Sequence, residues 1–284
     1  MILIADSGAT KTDWCFGTTL HHSQIVQTEG INPFHQDADK INEILHNGLL
    51  PQLPCPSSDI QTVFFYGAGC TSDKIEKLTF LFTQLFPQAA VEVHSDLLGA
   101  ARALCQHRPG IACILGTGAN SCLYDGEKII QNTPPLGYIL GDEGSGAYLG
   151  KRFLGDCIKQ QLPVGLLEGL LKEYQLTLPD ILERVYRQPL ANRFLASLTP
   201  YIYKHKQEPE VHHFLTTCFT DFLQRNVLPY PGCHEIPVAF TGSVAWFFRQ
   251  EIEEAAQALH LHTGVFIQSP ILELRHFHLP EKTL

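Results

Sequence analysis

Three stretches of this chain set small, hydroxyl-bearing and acidic residues at the ends of apolar runs, where they can do chemistry. The first is Asp6-Ser7-Gly8-Ala9-Thr10-Lys11, between apolar residues 2–5 and the strand-like residues 12–16. Small residues let a phosphate approach the backbone, and successive N–H groups in a turn form an anion-binding concavity. Asp6 would repel a phosphate unless a cation lay between them. That points to Mg²⁺, a hard ion held by few carboxylates plus water and phosphate oxygens. The second stretch repeats the layout. Apolar residues 111–115 run into Gly116-Thr117-Gly118-Ala119-Asn120-Ser121, and Cys122-Leu123-Tyr124 follows. Gly8-Ala9 aligns with Gly118-Ala119. Either turn alone is ordinary turn chemistry. Two strand–turn–strand units at corresponding places in two halves imply a duplicated architecture, able to grip a phosphate chain between its tips. The third stretch is Gly141-Asp142-Glu143-Gly144-Ser145-Gly146. Two carboxylates among glycines make a poor core and a good rim for a polar site. By local rules Asp142 or Ser145 is equally a helix N-cap, and so is Ser95-Asp96 ahead of the apolar residues that follow it.

These residues need a scaffold, and hydrophobic periodicity supplies its outline. Strands are expected over 2–5, 12–16, 23–28, 62–66 and 91–94 in the first half. Helices are expected over 37–50, from a cap at Ser72, and over 97–107. The second half opens with the Gly-Thr-Gly hairpin and a third strand at 128–131. A long helical stretch is expected from 146 to about 228, then a strand at 236–240, a helix at 244–259, a strand at 263–268 and a helix at 271–278. Strands alternating with helices imply layered α/β units. The expected division is a first lobe over 1–109, rejoined by a terminal helix at 270–284, and a second lobe over 110–269. Ligands of such folds bind beyond the carboxyl ends of the strands.

Composition narrows the class of partner. The 284 residues carry a formal charge of −9, with 44% hydrophobic and 17% charged residues. That is a globular chain, and its acidity disfavours nucleic acid and anionic membranes as partners. No apolar run is long enough to span a bilayer, and residues 1–4 lack a basic leader region. Nine scattered cysteines with no Cys-x-x-Cys pair fit free thiols in a reducing cytoplasm. The paired histidines, such as His212-His213, lack zinc-site spacing.

The two hairpins with Gly-Asp-Glu-Gly-Ser-Gly resemble the N-acetylglucosamine kinase and BadF/BadG-type ATPase family, within the superfamily of sugar kinases, actin and Hsp70-type ATPases. The resemblance covers nearly the whole chain. It implies a two-lobed actin-like (ribonuclease H-like) ATPase fold and ATP-dependent phosphorylation of an N-acetylated amino sugar. It assigns Asp96 as the catalytic base that takes the proton of the attacking hydroxyl. Asp142 and Asn32 would hold the sugar, with Thr117 and Gly118 facing both sugar and phosphate. Gly8, Thr10, Lys11, Thr12, Gly116, Thr117 and Gly118 would hold the ATP phosphates, Asp6 would help hold Mg²⁺, and Gly242-Ser243 would lie against the adenosine. Pro134-Pro135-Leu136-Gly137 replaces a Gly-Gly-Trp-Gly run of the family, and the Gly-Ala-rich terminal helix of relatives is absent. By analogy with such kinases, the resemblance implies a homodimer as the default assembly. The family's other branch implies an alternative, an ATPase activator of a radical dehydratase with an iron–sulfur cluster. A nucleotide-dependent regulatory module without catalysis is a third reading.

Overall fold

The computed structural model describes residues 1–8 and 10–281. The chain forms two units: one of Met1–Arg108, Gly126–Lys128 and the segment from Ser269, the other of Pro109–Asp125 and Ile129–Gln268.

The first unit runs Ile2–Ser7 (β1), Lys11–Gly17 (β2), Ser23–Glu29 (β3), Ala38–Glu43 (α1), Thr62–Gly67 (β4), Ser72–Leu85 (α2), Ala90–Ser95 (β5) and Asp96–Cys105 (α3). Its sheet has the order β3-β2-β1-β4-β5. The first three strands are antiparallel neighbours, while β4 and β5 run parallel to β1. Strand β1 is a continuous apolar run because both its faces are covered; Leu3, Ile4 and Ala5 are fully buried. Trp14, Phe65 and Phe82 meet in the core, with Trp14 6.1 Å from Phe65 and 6.3 Å from Phe82 between ring centroids. The indole N–H of Trp14 donates to Thr28 Oγ1 at 2.9 Å, so its one polar atom is satisfied. The helix expected over 37–50 changes pitch on the way. Asp37 caps α1 by accepting from the Lys40 N–H, then the chain widens into a π-helical segment, Ile44–Leu49, and closes with a 3₁₀ turn, Leu50–Gln52. Pro51, which has no N–H to give a helix, marks that end. The cap expected at Ser72 is instead Thr71, and Ser72 is the first residue of α2.

The second unit runs Gly110–Leu115 (β6), Ala119–Tyr124 (β7), Ile129–Thr133 (β8), Gly137–Leu140 (α4), Gly146–Ile158 (α5), Val164–Glu173 (α6), Leu178–Tyr186 (α7), Ala191–Ala196 (α8), Thr199–Lys204 (α9), Pro209–Phe222 (α10), Val238–Thr241 (β9), Ser243–Phe247 (α11), Arg249–Ala258 (α12) and Thr263–Ile267 (β10). Its sheet order, β8-β7-β6-β9-β10, repeats that of the first unit. The antiparallel pairs lie on one side and the parallel pairs on the other. The single long helical stretch expected over 146–228 is instead α5 to α10 and a π-helical segment, Leu223–Val227. Prolines set several of the breaks: Pro163 is the N-cap residue of α6, and Pro179, Pro200 and Pro209 stand in the first turns of α7, α9 and α10. The strand expected at 236 starts at Val238, after Pro237, and the helix expected over 244–259 is interrupted at Phe248. The short helix α4 carries no sequence signal and was not expected.

The helix expected at 271–278 is present as Ile271–His278 (α13). It belongs to the first unit. His278 stacks on Phe64 with centroids 3.8 Å apart, and its Nε2 lies 2.8 Å from the Tyr66 hydroxyl, which also accepts from Arg102 at 2.5 Å. Burial pushes the His278 imidazole down to about 3, so it packs as a neutral ring. The outermost part of the expected 270–284 helix, residues 282–284, lies outside the described residues. No described helix is long and apolar enough to cross a membrane.

Candidate active site

In the first unit the three parallel strands end level. Ser7 is the register partner of Gly67, and Gly67 of Ser95. Asp6, the turn after β4 and Asp96 are thereby gathered at the carboxyl edge of the sheet, the position where open α/β sheets bind ligands. Asp96 is the first residue of α3. Ser95 caps the helix, its Oγ accepting from the Leu98 N–H at 3.3 Å, and Asp96 Oδ1 accepts from the Leu97 N–H at 2.9 Å. Burial raises the Asp96 carboxyl above the ordinary range, while the Leu97 N–H and its own N–H hold it down. Asp6 is pushed up to about 7, first by burial, then by the charges of Asp13 and Asp96, with Lys11 opposing.

Asp13 is a residue the sequence reading passed over. It faces Asp6 across the hairpin, 5% exposed, and is held by Lys11 Nζ at 2.9 Å, Gln27 Nε2 at 2.7 Å and Ser269 Oγ at 3.2 Å. A carboxylate inside an otherwise apolar strand was the signal available. At the hairpin tip, the Gly8 N–H donates to the Lys11 carbonyl at 3.0 Å. Gly8 and Thr10 are exposed, and Lys11 extends its charge to Asp13. Thr12 differs: it is fully buried, with its hydroxyl 2.6 Å from Ser7 Oγ. The Ile31 N–H donates to both hydroxyls, at 3.0 Å to Ser7 and 3.2 Å to Thr12. The structure therefore turns the Thr12 side chain inward, where it ties the hairpin to the loop carrying Asn32.

Asn32 Oδ1 accepts from the Phe34 N–H at 3.0 Å, and its own N–H donates to Gln36 Oε1 at 2.8 Å. Gly69 closes over it. At φ +75°, a Cβ on Gly69 would lie 2.3 Å from Asn32 Oδ1, so this turn admits no side chain. Gly69 is a second residue missed, legible in retrospect as Gly-x-Gly at a strand end. The neighbouring Cys70 thiol is pushed up to about 12 by burial and by the Asp96 charge, which keeps it protonated and unreactive.

In the second unit the hairpin tip and the acidic loop are built as one piece. The Gly116 N–H donates to the Gly118 carbonyl at 2.9 Å. The first amides of α5 then donate to the tip, Gly146 N–H to Gly116 O at 2.8 Å and Ala147 N–H to Thr117 O at 3.1 Å. Ser145, rather than Asp142, is the N-cap, accepting from the Tyr148 N–H at 3.1 Å. Asp142 has a left-handed backbone, φ +53°, and its Oδ1 accepts from the Ala119 N–H at 3.3 Å. A Cβ on Gly118 would stand 3.2 Å from Asp142 Oδ2. The Asp142 carboxyl is pushed up to about 6, mainly by burial and further by Glu143, while the Ala119 N–H and Lys151 act in the other direction. Ile114 and Thr241 are register partners, so Gly242 emerges beside Gly116. Gly242 has φ +109°, and a Cβ there would fall 2.4 Å from the Leu115 carbonyl oxygen. Ser243 follows as the first residue of α11. The structure thus brings Gly116, Thr117, Gly118, Asp142 and Gly242 together in this unit, and Asp6, Gly8, Thr10, Lys11 and Asp96 along the strand ends of the other.

Two five-stranded sheets of matching order, each with a small-residue hairpin and parallel strands ending in glycines and carboxylates, define a two-lobed α/β fold of the actin-like ATPase class. A candidate N-acetylglucosamine kinase from Porphyromonas gingivalis matches this chain with 48% identity and a TM-score of 0.93, covering 98% of each chain. The chain belongs to the N-acetylglucosamine kinase family. A candidate N-acetylglucosamine kinase from Chromobacterium violaceum, 16% identical, matches with a TM-score of 0.71 over 97% of this chain and 98% of its own. The fold extends to a ROK family glucokinase from Streptomyces griseus, solved with glucose and AMPPNP, at 12% identity and a TM-score of 0.53 over 97% of each chain. No family model and no curated sequence matches the chain.

Proposed function

We propose that the chain transfers the γ-phosphoryl group of ATP to a hydroxyl of an N-acetylated amino sugar, of the N-acetylglucosamine or N-acetylmuramic acid type. The observation that carries this reading is the placement of Asp96. It stands at the level carboxyl edge of β1, β4 and β5 and at the N-terminus of α3, with a carboxyl lifted above the ordinary range. A base works best with a pKa drawn toward the working pH. In this role Asp96 takes the proton of the attacking sugar hydroxyl. Asp142 and Asn32 hold neighbouring hydroxyls, a task suited to a carboxylate that accepts from two donors at once. The tips at Gly8–Lys11 and 116–118 hold the phosphates, Thr12 supports its tip from within, and Gly242-Ser243 borders the nucleoside.

Asp6 fits a divalent cation brought in with the nucleotide. Its carboxyl is crowded by Asp13 and Asp96, and a positive charge beside it would offset that repulsion. Such a cation supplies charge neutralisation of the phosphates. The reading carries with it a cytoplasmic location, where ATP is the donor, and a homodimer by analogy with kinases of this kind. Nothing among the described residues favours a cluster-bearing activator or a catalytically silent module.

The test is ADP release with Mg-ATP against N-acetylglucosamine, N-acetylmuramic acid, N-acetylmannosamine and glucose, with Asp96→Asn in parallel. Stimulation by an N-acetylated sugar, lost in the variant, supports the proposal. Hydrolysis of ATP indifferent to every sugar overturns it.

A further inference from the structure

The loop that carries Asp142 is held from behind by a residue far away in sequence. Glu143 is 8% exposed, and its Oε2 accepts from Asn226 Nδ2 at 3.3 Å. Asn226 is itself 4% exposed and lies in the π-helical segment Leu223–Val227. Its carbonyl oxygen accepts from Ser121 Oγ at 2.9 Å. Ser121 is in β7, two residues beyond Ala119, whose N–H reaches Asp142. Tyr230 completes the set, its hydroxyl 2.7 Å from Ser121 Oγ and accepting from the Thr133 N–H at 2.9 Å. One residue thus grips both sides: its side-chain amide holds the residue after Asp142, and its backbone carbonyl holds the strand that starts at the hairpin tip.

This matters because Asp142 is held at φ +53°. A non-glycine residue keeps such a backbone when its surroundings over-determine it. The Asp142 N–H is fixed to the Pro135 carbonyl at 2.9 Å, and its carbonyl accepts from the Ser145 N–H at 3.0 Å. The peptide beyond it is anchored through the Glu143 side chain. A π-helical turn is often found at functional sites. Here Asn226 in that turn presents its backbone carbonyl to β7 and its side-chain amide to the loop.

We propose that Asn226 is a positioning residue for the acceptor site. With its backbone carbonyl anchored to Ser121, its side-chain amide holds Glu143 and so keeps Asp142 in register with the Gly116–Gly118 tip. Release of Glu143 lets the 141–144 loop relax, Asp142 withdraws from the Ala119 N–H, and the sugar loses its carboxylate before the phosphates lose their loop. This rests on the kinase reading above for its kinetic consequence, though not for its structural one.

The experiment compares wild type, Asn226→Asp, Glu143→Gln and the double variant. Asn226→Asp sets two carboxylates against each other in a buried place, while the double variant restores one donor facing one acceptor with the polarity reversed. The first readout is hydrogen–deuterium exchange of the 116–121 segment, which needs no activity. The second is KM for the sugar against KM for ATP. The expected result is roughly tenfold faster exchange and a rise in sugar KM of roughly tenfold or more in Asn226→Asp, with ATP KM changed by less than about threefold. The double variant recovers most of both. Unchanged exchange in Asn226→Asp, or a double variant no better than the worse single one, overturns the proposal. If wild type shows no sugar-stimulated turnover yet exchange follows the expected order, the kinase reading fails and the positioning role stands.

Discussion

Asp6 and Asp13 are direct register partners across β1 and β2, so two carboxylates rise from the same face of the first sheet. Like charges directly opposite in a sheet are destabilising. Lys11, Gln27 and Ser269 satisfy Asp13, while Asp6 is pushed up to about 7, first by burial and then by the charges of Asp13 and Asp96. A carboxyl raised in the folded state binds its proton more tightly there than in the unfolded chain. Its favourable contribution is complete below about pH 4 and is lost as pH rises through about 7. Asp6→Asn should therefore melt higher than wild type at pH 8 without Mg²⁺, by roughly 2–6 °C, and the gain should vanish by pH 4. The same variant should lose Mg-ATP-dependent turnover. Thermal melts at both pH values decide the first point, and equal melting at pH 8 refutes it.

Asp96→Asn removes the proposed base and little else, since an amide oxygen can still accept from the Leu97 N–H. The expected loss in kcat is on the order of 10²–10⁴-fold, with sugar KM changed by less than about threefold. Because burial raises this carboxyl, the acid limb of kcat in wild type should lie above the range of a free aspartate. A wild-type rate flat down to pH 4 would remove Asp96 from the role.

Asp142 gives a separate pH signature. An ionised carboxylate accepts two hydroxyls, whereas the protonated form must donate at one oxygen. With the carboxyl at about 6, sugar KM should rise as pH falls through that value while ATP KM stays level. Asp142→Asn should raise sugar KM by roughly 10–100-fold and flatten its pH dependence. Steady-state kinetics between pH 5 and 8 would show this, and a pH-independent sugar KM in wild type would contradict it.

Gly242→Ala tests the second lobe's glycine turn. A methyl group 2.4 Å from the Leu115 carbonyl, at φ +109°, forces the backbone apart. The expected cost is on the order of 2 kcal/mol or more, from the contact and the backbone together. Nucleotide affinity should fall with it. Gly155→Ala is the control, because nothing lies within 4 Å of a Cβ there and helix α5 favours alanine. Chemical denaturation of the two variants compares them directly.

Much of the duplicated fold is legible in the order of residues. Asp6-Ser7-Gly8 and Gly116-Thr117-Gly118 each interrupt an apolar run with small or polar residues; Asp6 and Ser7 finish β1 and Gly8 begins its turn, while residues 116–118 form the turn of the second hairpin. The acidic loop announced itself through its glycines. Other parts were hidden for physical reasons. Asp13 stands out only as a carboxylate inside an otherwise apolar strand, and its importance arises from a register partner that local sequence does not name. Asn226 has no local pattern at all, since its two attachments are brought to it by tertiary packing. The breaks between α5 and α10 were present in the sequence as prolines at helix starts, but apolar periodicity ran across them.

The first unit is assembled from both ends of the chain. Helix α13 seats His278 on Phe64 and Tyr66, and Ser269 reaches Asp13. During synthesis those contacts arrive after the whole of the second unit has left the ribosome. The hairpin that carries Asp6 therefore waits, incompletely buttressed, while its counterpart at Gly116–Gly118 can already close. A chain stopped after Gln268 should yield a protease-resistant second unit and a readily cleaved first one, so that the order of birth makes the Asp6 hairpin settle after its counterpart.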